Sequence, residues 1–286
     1  MSTTTAFHSK PPQIGEQGAG GRRRPWVVAA TRAVLNETQK GLWLLWGHRT
    51  VVLLEILTFV AFYPFLQFVL GNGTIQRALV LSTLLPFLAV PLLYLAILKL
   101  VSDLLEEVNS GTFEQMHLSP FSPAALLVGR LLAVFLEGVL IAVVIGVGMS
   151  SLLGISIPLR LAGLLPAALT LIDIAGFALL LGGLALALPQ IGAIAHLFSG
   201  LIFLLNGAFF PLEWFPTWVQ TLARFFPTTL GVEAMRKVVP QGQSLGSVWA
   251  DGTLPWLIIH AVLLAVLGWL VFLLNDRRAR RRGTLR

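Results

Sequence analysis

Apolar runs alternate with short polar segments along the whole chain. Six of them lie near Val51–Leu70, Leu79–Leu100, Leu126–Leu153, Leu161–Leu188, Ile191–Phe210 and Pro255–Leu274. A helix needs about 20 apolar residues to cross ~30 Å of hydrocarbon, and each run supplies that length. The third and fourth are longer, which predicts tilt. Only Pro189 and Gln190 separate the fourth from the fifth, which predicts a tight hairpin. Ahead of the first run the pattern changes. In Trp26–Trp46, Val27, Ala30 and Val34 share one helical face, while Arg32, Asn36, Gln39 and Lys40 share another. With Arg22, Arg23 and Arg24 in front, this reads as a basic amphipathic helix lying in the interface of an anionic leaflet. The alternative is a cytoplasmic extension of the first span.

The pattern breaks again between the fifth and sixth runs, over Ser199–Val238. Trp214, Phe215, Trp218, Phe225 and Phe226 alternate there with Pro211, Pro216 and Pro227, where an ordinary loop would carry charge. Trp at this density favours a membrane–water boundary, with the ring buried and the N–H wet. Helix breaks at membrane depth are tolerated where protein or a cavity satisfies the freed backbone groups. The segment reads as short helices that dip back into the interface, or alternatively as an amphipathic loop on the lipid surface. The expected fold is an all-α integral membrane protein. It has six transmembrane helices, an N-terminal amphipathic interfacial helix, and short re-entrant helices between spans five and six.

Composition agrees. Of the 286 residues 56% are hydrophobic and only 12% charged, against roughly 25% charged in soluble domains. No cysteine is present, which excludes disulfides and thiolate metal sites. Net charge is +7, but the basic residues flank apolar runs instead of forming a nucleic-acid patch. With both termini in the cytoplasm, fifteen of the twenty Lys and Arg fall inside. Arg77, Arg160, Arg224, Arg236 and Lys237 fall outside. The positive-inside rule favours that orientation, which an even number of spans requires. Residues 1–25 are polar and rich in Ser, Thr, Gly and Pro, without the apolar core of a secretory signal, and read as a disordered cytoplasmic tail. Residues 277–286 form a basic cytoplasmic tail whose main role is topological, with attraction to anionic lipid worth about 1 kcal/mol per residue. The domain plan is therefore tail 1–25, transmembrane domain 26–276 and tail 277–286.

The most informative polar stretch is Asp103–Pro123, between spans two and three. It opens as the acidic end of a helix and turns at Asn109-Ser110-Gly111. Thr112 and Gln115 have the spacing of a capping box for a second short helix. Pro120 and Pro123 close it, with Ser119 and Ser122 beside them. Two short helices presented to the cytoplasm make a docking surface; a solvated loop is the plainer alternative.

Two motif sets resemble the membrane permease subunit of ABC exporters of the ABC-2 type. The first is Ser199-Gly200, Phe210-Pro211-Leu212, Pro216-Thr217-Trp218, Phe226-Pro227 and Glu233 to Arg236. Phe226 stands where that family often has Asn, and Asn206 where it often has Ser before Gly207. The second is Gly111, Thr112, Glu114, Gln115, Leu118, Pro120, Ser122 and Arg130. They occur in the family order, and the resemblance spans about Trp26 to Asp276. It implies that the second set meets an ATPase subunit. It implies that Phe210, Pro211, Pro216, Trp218, Pro227, Glu233 and Arg236 shape an external gate, and that the N-terminal helix also contacts the ATPase. It further implies a second permease chain, identical or related, and two ATPase subunits holding ATP and Mg. It implies a location in the cell membrane.

Chemistry elsewhere in the chain is sparse. No GxxxxGK[ST] phosphate loop occurs, so ATP is not bound here in that manner. No Gly-x-Ser-x-Gly element occurs, and the five histidines, His8, His48, His117, His196 and His260, lack metal-ligand spacing. No catalytic residue and no metal site is expected. Glycines such as Gly176, Gly182, Gly183 and Gly192 sit among apolar residues and read as helix-packing positions. Glu55 and Arg130 sit near cytoplasmic span ends and can snorkel. Asp173 and Glu137 lie deeper, where a carboxylate costs roughly 2.5–3.5 kcal/mol unless it is paired, protonated or wetted. Either they line a translocation path, or Asp173 holds two helices together by a hydrogen bond. An apolar wall of Leu, Phe, Ala and Gly suits an amphipathic drug or lipid-like cargo better than a sugar polymer or glycolipid. A membrane anchor, or an intramembrane enzyme using Glu137 and Asp173, is the remaining alternative, weakened by the different depths of the two acids.

Overall fold

The computed structural model describes residues 26–113, 123–155, 160–188 and 190–282. These residues contain helices and no strand. Helix α1 is Trp26–Gly47 and α2 is Arg49–Leu70. Helix α3, Arg77–Tyr94, continues through a π-helical stretch, Leu95–Lys99, into α4, Leu100–Ser110. Then come α5, Pro123–Leu153, α6, Leu164–Ala185, and α7, Ile191–Leu205. Short helices α8, Thr217–Ala223, α9, Thr229–Val238, and α10, Leu245–Ala250, lead to α11, Thr253–Arg282.

Among the described residues five helices are long and apolar enough to cross a membrane: Arg49–Leu70, Arg77–Ser110, Ala125–Leu153, Leu161–Ala185 and Thr253–Ala279. They correspond to apolar runs one to four and six. The fifth run differs. Its helix α7 has 15 residues, about 22 Å at 1.5 Å per residue, and stops short of Phe210. The stop is local chemistry. Asn206 accepts the Ala208 N–H through Oδ1 at 2.9 Å, and Gly207 takes φ +85°, open to a residue without Cβ. Asn206 Nδ2 donates to the Pro86 carbonyl at 3.4 Å. Pro86 lies inside α3, about 13 Å from that helix's start at 1.5 Å per residue, so α7 ends at depth within the bundle.

Three kinds of contact hold the helices. The core is aliphatic and aromatic and centres on α3, the π stretch and α6. Small residues bring α6 and α11 into backbone contact. A Cβ on Gly176 would meet the backbone of Leu264 and Ala265, one on Gly183 the backbone of Val271 and Phe272, and one on Gly268 the backbone of Gly176. Without a hydrophobic force between helices in lipid, such close approach supplies dispersion contact. Buried polar staples complete the set. The Tyr63 hydroxyl donates to the Val80 carbonyl at 3.1 Å and pairs with Thr83, whose hydroxyl accepts from Gln67 at 2.9 Å, joining α2 to α3. Asn275 donates to the Gly183 carbonyl at 3.0 Å.

Candidate functional site

Polar groups gather at the two ends of the bundle. The end that carries α1 is organised by Arg130, on the first turns of α5. Its Nη2 donates to Glu107 of α4 at 2.5 Å, and its Nε lies 3.8 Å from Glu37 of α1. A fork-shaped guanidinium is suited to tie two carboxylates at once. The helices meet there because the facing positions are small. A Cβ on Gly129 would press on Val34 and Glu37, and one on Gly41 on Ala133. Thr38 Oγ1 donates to the carbonyls of Val34, at 2.8 Å, and Gly129, at 3.0 Å. Lys99, the last residue of the π stretch, reaches Glu137 at 2.5 Å. Arg130, Glu107, Glu37, Lys99 and Glu137, with Lys40, Asp103, Glu106 and Thr112, line a cleft of about 480 Å³.

Helix α4 ends at Gly111, whose φ of +72° is the left-handed C-terminal geometry glycine favours. Thr112 Oγ1 lies 2.8 Å from Ser110 Oγ. Of the residues expected to face an ATPase, Gly111, Thr112 and Arg130 thus sit on one corner. Glu114, Gln115, Leu118, Pro120 and Ser122 lie outside the described residues, as do tail 1–25 and residues 283–286. Helix α1, expected at this end, packs through Ala30, Ala33 and Val34 on Ala125 and Leu126 of α5. Trp43 and Trp46 stay exposed.

The opposite end is a cap of short helices. Pro211 precedes a 3₁₀ turn, Leu212–Trp214, and Pro216 starts α8. Phe210 packs edge-on to Phe215 at 6.3 Å, Pro227 is buried, and Trp218 points outward at 70% exposure. On α9, Glu233 pairs with Arg224 at 3.5 Å and Lys237 at 3.3 Å. Arg236 pairs with Glu213 at 3.0 Å, and Lys237 also with Asp251 at 2.9 Å. Asp251 accepts the Thr253 N–H at 2.9 Å. That bond first, then Lys237, pulls its carboxyl down to about 2.

Asp173 fastens this cap to the bundle. It is 0% exposed. Oδ1 accepts from His260 Nδ1 of α11 at 2.8 Å, and Oδ2 accepts the Thr228 N–H at 3.2 Å. His260 Nε2 faces the Phe225 carbonyl at 3.1 Å. The ring thus bridges the Asp173 carboxyl and the Phe225 carbonyl through its two nitrogens. Thr228 takes φ +81°, a strained conformation for a β-branched residue, just ahead of the α9 N-terminus. The carboxylate therefore faces a backbone donor and a helix dipole of favourable sign. The two deep acids both have partners here, Lys99 for Glu137 and His260 with Thr228 for Asp173, and they lie at opposite ends. Sequence reasoning missed Lys99, His260, Glu37 and Glu107. The one available signal was a lone acid in one span and a lone base in another. Separations of 38 and 87 positions leave pairing to the fold.

A second cavity, about 420 Å³, opens between α2, the end of α3 with its π stretch, and α7, with Glu55, Tyr94 and Ser199 among its lining residues.

The profile of the ABC-2 family transporter proteins matches residues 58–273. The chain belongs to the ABC-2 transporter family. Among curated relatives of this family member, the inner membrane transport permease YhhJ of Escherichia coli K12 is 28% identical over 163 residues, covering 54% of this chain. The protein of that name from Shigella flexneri matches equally. The aligned part is 42% of each relative, so the chain spans well under half the length of the permeases it matches.

Proposed function

We propose that this ABC-2 chain is the membrane permease subunit of an ATP-driven exporter in the cell membrane. It forms the translocation path for an amphipathic, drug- or lipid-like compound. ATP and Mg are bound by separate ATPase subunits, and two permease chains, identical or related, together with surrounding lipid, enclose the path. Both termini and the Gly111–Ser122 segment face the cytoplasm.

The observation that carries this reading is the Arg130 corner. Arg130 joins Glu107 at the end of α4 to Glu37 of α1 and itself belongs to α5. A push on the segment between Gly111 and Ser122 would then move α1, α4 and α5 together. Glu114, Gln115, Leu118, Pro120 and Ser122 supply the docking contacts in this scheme. At the other end, Phe210, Pro211, Pro216, Trp218, Pro227, Glu233 and Arg236 form the outer gate. The helices that follow α7 dip back into the interface there.

The test uses Glu114→Arg. The variant should insert and fold while export no longer follows ATP hydrolysis in membranes holding the chain and its ATPase. Coupling equal to the parent would sink the docking scheme. A chain that purifies alone and ignores every ATPase would sink the exporter reading itself.

A further inference from the structure

We infer that the cavity between α2, α3 and α7 is a binding site for amphipathic organic cations, anchored by Glu55. Three stripes at helical spacing build it: Glu55 with Phe59 on α2, Tyr94 with Leu98 across the π stretch, and Ser199 with Phe203 on α7. Its volume of about 420 Å³ lies in the range of small-molecule pockets, ~300–1,000 Å³.

Four observations point to a ligand and to its charge. Glu55 is the one carboxylate lining the cavity, and no Lys or Arg lines it. Among the described residues Glu55 makes no salt bridge, whereas Glu137 and Asp173 each have a basic partner. A carboxylate within a span is costly without a partner, and a cationic ligand supplies one. Ser199 is 5% exposed, and its Oγ has no hydrogen-bond partner among the described residues, a vacant bond at the cavity wall. Gly200 lines the cavity, and a Cβ there would meet nothing within 4 Å. It contrasts with Gly176 and Gly183, which touch backbone: here the missing side chain leaves space. The aromatic walls, Phe59, Tyr94 and Phe203, add π faces that attract cations, more strongly where water is excluded. Besides Glu55 and the Tyr94 phenol, the ionisable side chain at the wall is His196, on the exposed side of α7.

As a statement about cargo this rests on the exporter reading; as a statement about binding it does not. The full chain, purified in detergent, is titrated with tetraphenylphosphonium and with tetraphenylborate, ions of similar shape and opposite charge. Saturable phosphonium binding is expected. Glu55→Gln should weaken it at least tenfold, Gly200→Leu should abolish it by filling the cavity, and Ser199→Ala should weaken it by a smaller factor. Helical content and elution volume confirm that each variant folds. Should Glu55→Gln fail that check, Gly200→Leu and the borate comparison still decide. Phosphonium affinity unchanged in Glu55→Gln or in Gly200→Leu, or saturable borate binding as tight as phosphonium, overturns the inference. No ATPase is needed. Loss of coupled export with binding intact would reject the exporter reading alone. Export of a cargo by a chain that does not bind phosphonium would reject the cation site alone.

Discussion

At the residue scale, the buried charges are exacting. Asp173 serves His260, the Thr228 N–H and, through them, the cap. Removing one partner of a buried pair costs about 3–5 kcal/mol because the other stays buried and unmatched. Asp173→Ala should therefore lower the thermal midpoint of the purified chain far more than Asp173→Asn, which keeps an oxygen for Thr228. Equal midpoints would show that the network does not hold the cap. Transport by Asp173→Asn at the parental rate would separately dismiss a role for the charge in translocation. Asp251 gives a pH prediction. Its folded pKa, about 2, lies below its ordinary 3.8. It therefore contributes stability that is fully present above about pH 4 and is lost as pH falls through 2. The melting difference between the parent and Asp251→Asn should vanish toward pH 2; a difference independent of pH would contradict the bond to Thr253. That Asp173 and Glu137 needed partners follows from sequence, because their location in apolar runs makes isolation costly. Which side chains answered them does not follow.

At the scale of elements, glycine separates two meanings. Gly176, Gly183 and Gly268 lie where α6 and α11 touch backbone to backbone, and Gly200 faces open space. Overpacking a closed interface typically costs ~1–3 kcal/mol. Gly268→Leu should reduce the yield of folded chain, whereas Gly200→Ala should leave it unchanged; the reverse order, read by fluorescence-detected size exclusion, would refute the packing scheme. Helix positions were legible because hydrophobic length reports the bilayer directly. The end of α7 was harder to place. The apolar pattern runs on through Phe210, but Asn206 and Gly207 stop the helix by a local hydrogen bond and a left-handed turn. The π stretch left no sequence signal.

At the scale of the whole molecule, the charge distribution and the fold put the Arg130 corner and the Glu233 cluster at opposite ends of the bundle. The chain has no cysteine, so single introduced thiols report cleanly. Ser110→Cys should react with an impermeant reagent only from the cytoplasm, and Gln243→Cys only from outside. Both reacting from one side would refute the topology. By itself the sequence determined the membrane character, the approximate helices and the family, and it supplied the charge bias on which the proposed orientation rests. Each depends on composition and period, which are read locally along the chain. Only tertiary structure decided that Arg130 joins α1 to α4, that Asp173 holds the cap, and that Glu55 faces a cavity with space left by Gly200. Those facts depend on which faces of distant helices meet. In lipid that choice is made by small-residue contacts and a few buried bonds, and both act between positions far apart in the chain.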